Sequence, residues 1–299
     1  MTKMNAAMRA AAARAAGEGV ENAAICCENL SLLNSSKTIL GGISLAIPKG
    51  AVVGVVGRNG AGKSTLLRCM VGLTAPDFGW ASLFGCPSLE LDDSIRARLG
   101  YVAQSPDLFG WMSVIEHLRT ISSAYPNWDE ERCRLLAARL DLPMLDRVSQ
   151  LSGGDQQKLS VILALAHNPD VLILDEPVSN LDPITRRDFM RSLFLDQREG
   201  NESSATAAPT VVISSHLLTD LERVISHVAF IREGYLQLFD TWDAILECVR
   251  VVPRETEAPA AALLYQNRQH SVIDTRAAPQ LQDAGSAVTL DQIFSELNA

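Results

Sequence analysis

Short apolar runs alternating with helix-spaced stretches organise the chain from Ala24 onward. β-prone residues cluster at Ala24–Leu30 and Ile39–Ile47, and Pro48-Lys49-Gly50 then reads as a turn. Ala51–Gly57 is a compact run of Val, Ala and Gly that predicts a buried strand. A Gly-rich turn follows at once, and then a helical pattern over Lys63–Leu73. Another short extended piece is predicted at Tyr101–Gln104. From Ser113 to Gln150 Leu, Ile and Ala recur at three- and four-residue spacing, which predicts helices broken at Pro126 and Pro143. The alternation then returns, with a helix from Ser152 to about His167 and a strand over Asp170–Leu174. A helix from Pro183, a strand over Thr210–Ser214 and a helix from Leu217 complete it. Strands that alternate with helices imply an α/β core built on a parallel sheet.

Three stretches lack this rhythm. The Ala-rich N-terminus, Met1 to about Gly19, carries Lys3, Arg9 and Arg14 but lacks the Leu/Val-rich centre of a targeting peptide, so it reads as a frayed or weakly helical tail. Between Asp196 and Pro209 lies a polar, small-residue run with the composition of a flexible surface insertion. After about Val251 the periodicity fades until an amphipathic stretch at Thr289–Leu297. The expected division is a tail over 1–22, a main domain over 23–249 and an extension over 250–299 with no role assigned.

Composition narrows the classes. A net charge of −9 argues against sequence-independent binding to nucleic acid, which needs clustered Lys and Arg. No stretch nears the roughly 18 uninterrupted apolar residues that cross a bilayer, so action at a membrane requires a partner. The 6 cysteines form no C-x-x-C pair and have no His cluster beside them, which fits reduced cytoplasmic thiols rather than a zinc site.

Candidate chemistry begins at Gly57-Arg58-Asn59-Gly60-Ala61-Gly62-Lys63-Ser64-Thr65, a full G-x-x-x-x-G-K-[ST] phosphate-binding loop. Small residues let the backbone wrap a polyphosphate and aim its N–H groups inward, and the following helix adds its positive end. Lys63 is expected to reach the β- and γ-phosphates, and Ser64 to hold Mg²⁺. Asp170-Val171-Leu172-Ile173-Leu174-Asp175-Glu176 supplies a buried strand that delivers two carboxylates at its C-terminal end. Asp175 suits Mg²⁺, directly or through water, and Glu176 suits polarisation of the attacking water.

Leu151-Ser152-Gly153-Gly154-Asp155-Gln156-Gln157-Lys158 resembles the signature of the ATP-binding cassette (ABC) ATPases, with Asp155 where Gln is more usual. From the residues alone, Ser152 can cap the next helix, while Gly153 and Gly154 leave its first N–H groups open to an anion. Further landmarks resemble the family in order: Gln104 the Q-loop glutamine, Ser179-Asn180-Leu181-Asp182 the D-loop, and His216 the switch histidine. The resemblance runs from about Ala24 to Trp242. It implies an α/β, P-loop NTPase fold with a RecA-like core, an antiparallel β subdomain and a helical signature subdomain at about 105–155. It also implies two cassettes, alike or unlike, that sandwich ATP and Mg²⁺ head to tail. Lys63, Ser64, Gln104, Asp175, Glu176 and His216 of one would then face Ser152, Gly153 and Gly154 of the other.

One departure stands out. The family usually stacks an aromatic on adenine before the phosphate loop, whereas Leu32-Leu33-Asn34-Ser35-Ser36 offers none. Either Leu33 packs on the base or base selectivity is relaxed. Pro106-Asp107-Leu108-Phe109-Gly110-Trp111-Met112 is apolar and aromatic, in the region where the resemblance places contact with a separate transmembrane permease. Tyr125-Pro126-Asn127-Trp128-Asp129, Leu140-Asp141-Leu142-Pro143 and Val288–Phe294 look like exporter-type cassettes of the YtrB-like branch. A peripheral site at the cytoplasmic face of the inner membrane follows. The alternatives are a soluble non-transport ABC ATPase and a regulatory nucleotide-binding module. A single cassette without a heptad run disfavours the first, and the presence of Glu176 and His216 disfavours the second.

Overall fold

The structure is a computed structural model that describes residues 23–35, 37–179, 208–215 and 224–284, together with residue 222 and scattered positions within 181–190 and 286–295. The N-terminal tail, Asn180, the polar run up to Ala207, His216 and most of Val288–Phe294 lie outside the described residues, as do most of the helices expected from Pro183 and Leu217.

β1 (Ala23–Asn34) and β2 (Lys37–Pro48) form an antiparallel hairpin, registered from Ile25↔Ile47 to Asn34↔Lys37. Both outrun the predicted runs, because backbone pairing continues after the buried face has ended at Leu33 and Asn34. β3 (Val52–Val56) leads through the glycine loop into α1 (Lys63–Met70). β4 (Phe78–Leu83), which the pattern did not predict, pairs with β1 as Ile25↔Leu83, and β5 (Cys86–Pro87) completes a four-stranded antiparallel sheet. A single-turn helix α2 (Asp93–Arg96) precedes β6 (Leu99–Val102).

The helical stretch resolves into α3 (Val114–Ser122), α4 (Glu130–Arg139) and α5 (Gly153–Leu165). Ser113 and Glu116 close a capping box on α3, Asp129 caps α4 through the Arg132 amide, and Ser152 caps α5. Pro126 and Pro143 fall in the connections, where the missing N–H costs nothing. β7 (Val171–Asp175), β8 (Thr210–Ser214), β9 (His227–Arg232) and β10 (Tyr235–Thr241) then fill a six-stranded sheet in the order β10-β9-β3-β8-β7-β6. Its strands are parallel except for β10, which returns antiparallel to β9.

Alternation along those strands divides the interior. Val53, Val55, Ile173, Val212 and Ile231 face a core shared with α1 and the antiparallel sheet. Val56, Leu172, Leu174, Ile213 and Phe230 face the core of the helical lobe. Gly100 lets α5 lie directly on β6, since a Cβ there would sit 2.5 Å from the Ala164 carbonyl oxygen.

The stretch beyond Val249 also folds. After α6 (Trp242–Cys248), β11 (Val249–Pro253), β12 (Leu263–Gln266), β13 (His270–Asp274) and β14 (Ser286–Ala287) form a third sheet, ordered β12-β13-β11-β14. It docks on the main domain through Val249 and Val272 in the shared core. Arg232 lies over the Tyr265 ring at 4.4 Å, and Arg276 reaches Asp240 at 2.6 Å. Among the described residues no helix is long and apolar enough to cross a membrane.

Candidate nucleotide site

The loop between β3 and α1 has the shape its glycines demand. Gly60 and Gly62 adopt φ of +80° and +104°, and a Cβ on Gly57 would come 2.3 Å from the Ile231 carbonyl oxygen. The β9–β10 turn presses against the same loop, where the Gly234 N–H donates to the Ala61 carbonyl at 3.0 Å. No side chain caps α1, so its first amides stay available to an anion, and nothing lies within 4 Å of a Cβ built on Gly60. Arg58 and Asn59 are exposed and Ala61 is buried, while Ser64 and Thr65 on the first turn are half-buried.

Lys63 is buried, and its ammonium donates to the carbonyls of Gly57 at 2.8 Å and Arg58 at 3.2 Å. Glu176 Oε1 stands 3.7 Å from Lys63 Nζ, with both side chains almost fully enclosed. Burial pulls the Lys63 pKa below the usual ammonium value, although the charges of Glu176 and Asp175 push the other way. An anionic ligand would add to that second effect, so the cradle favours a phosphate over neutral ligands.

The two carboxylates are held by a residue the sequence did not single out. Ser214 at the end of β8 is fully buried; its hydroxyl donates to Asp175 Oδ1 at 2.7 Å and accepts the Glu176 N–H at 2.9 Å. The in-register pairing Asp175↔Ser214 makes this contact, and no spacing within the chain announces it. Glu176 has φ of +46° and is the buried one among the described non-glycine residues with positive φ. Such a conformation costs of order 1–3 kcal/mol and persists where the surroundings enforce it. Here the Glu176 N–H is held by Ser214, and the carboxylate lies beside Lys63.

Gln104 is exposed just beyond β6, whose Val102 pairs with Leu174 on β7, so it stands at the same sheet end as Asp175. Ser64, Gln104 and Asp175 offer hydroxyl, amide and carboxylate oxygens, the hard donors that suit Mg²⁺. Among the described residues no cluster of three His, Cys, Asp or Glu side chains could hold a metal. A Mg²⁺ shared with phosphate oxygens needs no such cluster.

Ser152, Gly153 and Gly154 sit at the N-terminus of α5, where the Ser152 hydroxyl accepts the Asp155 N–H at 3.1 Å. Beside them, Gln156 donates to the carbonyls of Val148 and Leu151 within the helical lobe. Gln157, fully buried, donates to the Ala103 carbonyl beside Gln104 at 3.5 Å. Leu33, one of the two alternatives for adenine, is 48% exposed, and its amide donates to Asp77 Oδ2 at 2.7 Å.

A parallel sheet with a phosphate loop at its carboxyl end, a buried lysine and two cross-braced carboxylates define a P-loop nucleoside triphosphatase. Comparison with known proteins narrows the class. Residues 40–179 match the family model described as ABC transporter. The chain is 34% identical over 218 residues to the Nod factor export ATP-binding protein I of Paraburkholderia xenovorans (strain LB400), a match covering 71% of this chain and 69% of that protein. It is 30% identical over 212 residues to a bacitracin transport ATP-binding protein of Bacillus licheniformis, covering 70% and 66%. A lantibiotic transport ATP-binding protein of Streptococcus pyogenes is 30% identical over 218 residues, covering 72% and 90%. Among solved structures, an ATP-binding subunit of an ABC transporter superposes with a TM-score of 0.65 at 24% identity, over 74% of this chain and 91% of that one. A dimeric ATP-binding cassette in a post-hydrolysis state with ADP and Pi gives 0.62 at 23%, over 73% and 98%. The chain belongs to the ABC transporter family, as an ATP-binding subunit.

Proposed function

We propose that this cassette hydrolyses Mg²⁺-ATP to drive a membrane exporter. It would work at the cytoplasmic face with a separate transmembrane permease and a second cassette, identical or related. The observation that carries the reading is the buried Lys63–Glu176 pair beside an Asp175 that Ser214 holds in place. Lys63 and the amides of Gly57–Thr65 bind the phosphates, while Ser64, Gln104 and Asp175 hold Mg²⁺, which supplies charge neutralisation at the transferred phosphoryl group. Glu176 takes the proton of the attacking water, and His216 keeps the switch-histidine role that the family resemblance gives it. Ser152, Gly153 and Gly154 complete the site of the opposing cassette with the N-terminal end of α5. In this reading residues 23–249 form the motor domain, with its signature lobe at about 105–155, and 250–299 form an appended lobe.

The export assignment rests on the named functions of the relatives. Contact with a permease is supported by the helical lobe. Phe109, Trp111 and Leu145 are 46%, 71% and 84% exposed on adjoining loops, where Val148 N–H bonds to the Met112 carbonyl. A cavity of about 340 Å³ opens between α3 and α4, with Ile115, Leu118, Cys133 and Leu142 in its lining. Purified chain should hydrolyse ATP with Mg²⁺ and stop when Mg²⁺ is chelated. In its own cells it should sediment with membranes, and Trp111→Glu should release it while leaving ATP binding intact. Turnover without divalent cation would refute the first part, and unchanged sedimentation of Trp111→Glu the second.

A further inference from the structure

We propose that Asp155 is a latch on the signature: it holds the Ser152 hydroxyl proton and places a negative charge where the γ-phosphate of a second cassette must arrive. The inference rests on the reading that two cassettes close over ATP. A serine hydroxyl has one proton to give, and an ionised carboxylate only accepts. Ser152 Oγ lies 2.7 Å from Asp155 Oδ2, so the hydroxyl donates there, while its oxygen accepts the Asp155 N–H at 3.1 Å. In this arrangement Ser152 has no donor left for a phosphate.

The charge on Asp155 is secured from its other side. Lys158 Nζ donates to Asp155 Oδ1 at 2.8 Å, and both side chains are largely enclosed, at 15% exposed for Lys158 and 25% for Asp155. Burial pushes the Asp155 pKa up, but the bonds from Lys158 and Ser152 outweigh it and leave it below the ordinary carboxylate value. Asp155 is therefore anionic at neutral pH. It stands in the first turn of α5, a helix of 13 residues, and satisfies from within the positive end that would otherwise attract an external anion.

Room for that anion remains. A Cβ built on Gly153 meets nothing within 4 Å, so the approach to the helix N-terminus is open. Closure then requires two changes at one place. The Ser152 hydroxyl must turn from the carboxylate to the phosphate, and Lys158 must carry the Asp155 charge alone while a second anion comes close. An amide at position 155 imposes neither demand in full, because it carries no charge.

The test is sedimentation of the Glu176→Gln chain in Mg²⁺-ATP, alone and combined with Asp155→Asn or Lys158→Met, with ATP retention and a thermal melt for each variant. Asp155→Asn should lower the dimer dissociation constant about tenfold, and Lys158→Met should raise it by a similar factor, since it strips the countercharge. Raising salt from about 50 to 300 mM should tighten the parent dimer more than the Asp155→Asn dimer, because it screens the local repulsion that the amide removes in addition to the repulsion that the net charge of −9 gives both. A role for Asp155 in capping alone gives the opposite result, a weaker or unchanged Asp155→Asn dimer with the same salt response as the parent, and that outcome overturns the latch. If every variant retains ATP and all sediment as monomers, the two-cassette reading falls, and the latch with it.

Discussion

Replacing Ser214 by alanine removes one oxygen that bridges two functional groups. The hydroxyl donates to Asp175 at 2.7 Å and receives the Glu176 amide at 2.9 Å, inside a strand that is fully buried. A hydrogen bond to a charged partner contributes about 1.5–3 kcal/mol, and no water replaces it in so enclosed a place. The expected stability loss is therefore about 2–3 kcal/mol, or a melting temperature lower by roughly 5–10 °C for a domain of this size. Activity should suffer more selectively. Asp175 loses the partner that orients it, and removal of such a supporting bond costs about 10–100-fold in metal affinity or turnover. Phosphate binding by the loop and Lys63 does not involve Ser214, so retention of ATP without Mg²⁺ should change less than about threefold by the same argument. The assay is steady-state ATPase titrated with Mg²⁺, beside nucleotide retention in chelator. A variant within twofold of wild type in turnover and in half-saturating Mg²⁺ would refute the orienting role.

Two further outcomes follow from groups away from the reaction. His117 is buried against Phe109 with Nδ1 unpartnered, and burial pulls its pKa below the usual imidazole value. The unfolded chain thus takes up a proton near pH 6.5 that the folded chain refuses, so stability falls as pH drops below that value, by up to about 1.4 kcal/mol per pH unit. His117→Phe should flatten the fall in melting temperature between pH 6.5 and 5 only in part, because His167 and His227 are also held low by burial and continue to titrate. An unchanged slope would count against the assignment. Arg276 ties β13 to the main domain through Asp240 at 2.6 Å, and Asp274 beside it. Arg276→Ala should speed amide exchange across Leu263–Asp274 at least tenfold while leaving β3 and β7 unaffected, and exchange that rises everywhere would show that the third sheet is no separate unit.

Legibility in the sequence followed the range of the interactions. β3, the glycine loop and α1 were readable because the motif dictates its own backbone, and β7 because four consecutive apolar residues end in two acids. β4 carries no legible pattern: Gly79, with φ of +76°, interrupts its alternation where it passes Glu28 and Asn29 of β1. The β9–β10 hairpin is not legible because its tight turn, Glu233-Gly234, lies directly after a strand with four consecutive buried residues, Val228–Ile231, which show no alternation. The third sheet could not be read from pattern. Its strands span two to five residues with mixed burial, and a register shift between Leu263 and Tyr265 breaks what periodicity remains. Ser214 was invisible for a related reason, since its partner is 39 residues away and meets it through sheet register. The chemistry of a site was legible where one motif contained it, and was hidden where two strands had to be laid side by side.

In the proposed mechanism Glu176 is the base for a nucleotide held by Lys63 and the glycine loop. Single-turnover hydrolysis of Mg²⁺-ATP by wild type and Glu176→Gln, with bound nucleotide measured in the same samples, tests it most directly. Retained ATP binding with hydrolysis slowed about 10²–10⁴-fold, the usual contribution of a positioned base, is the expected result. Glu176→Gln hydrolysing ATP within a few-fold of wild type would contradict the account.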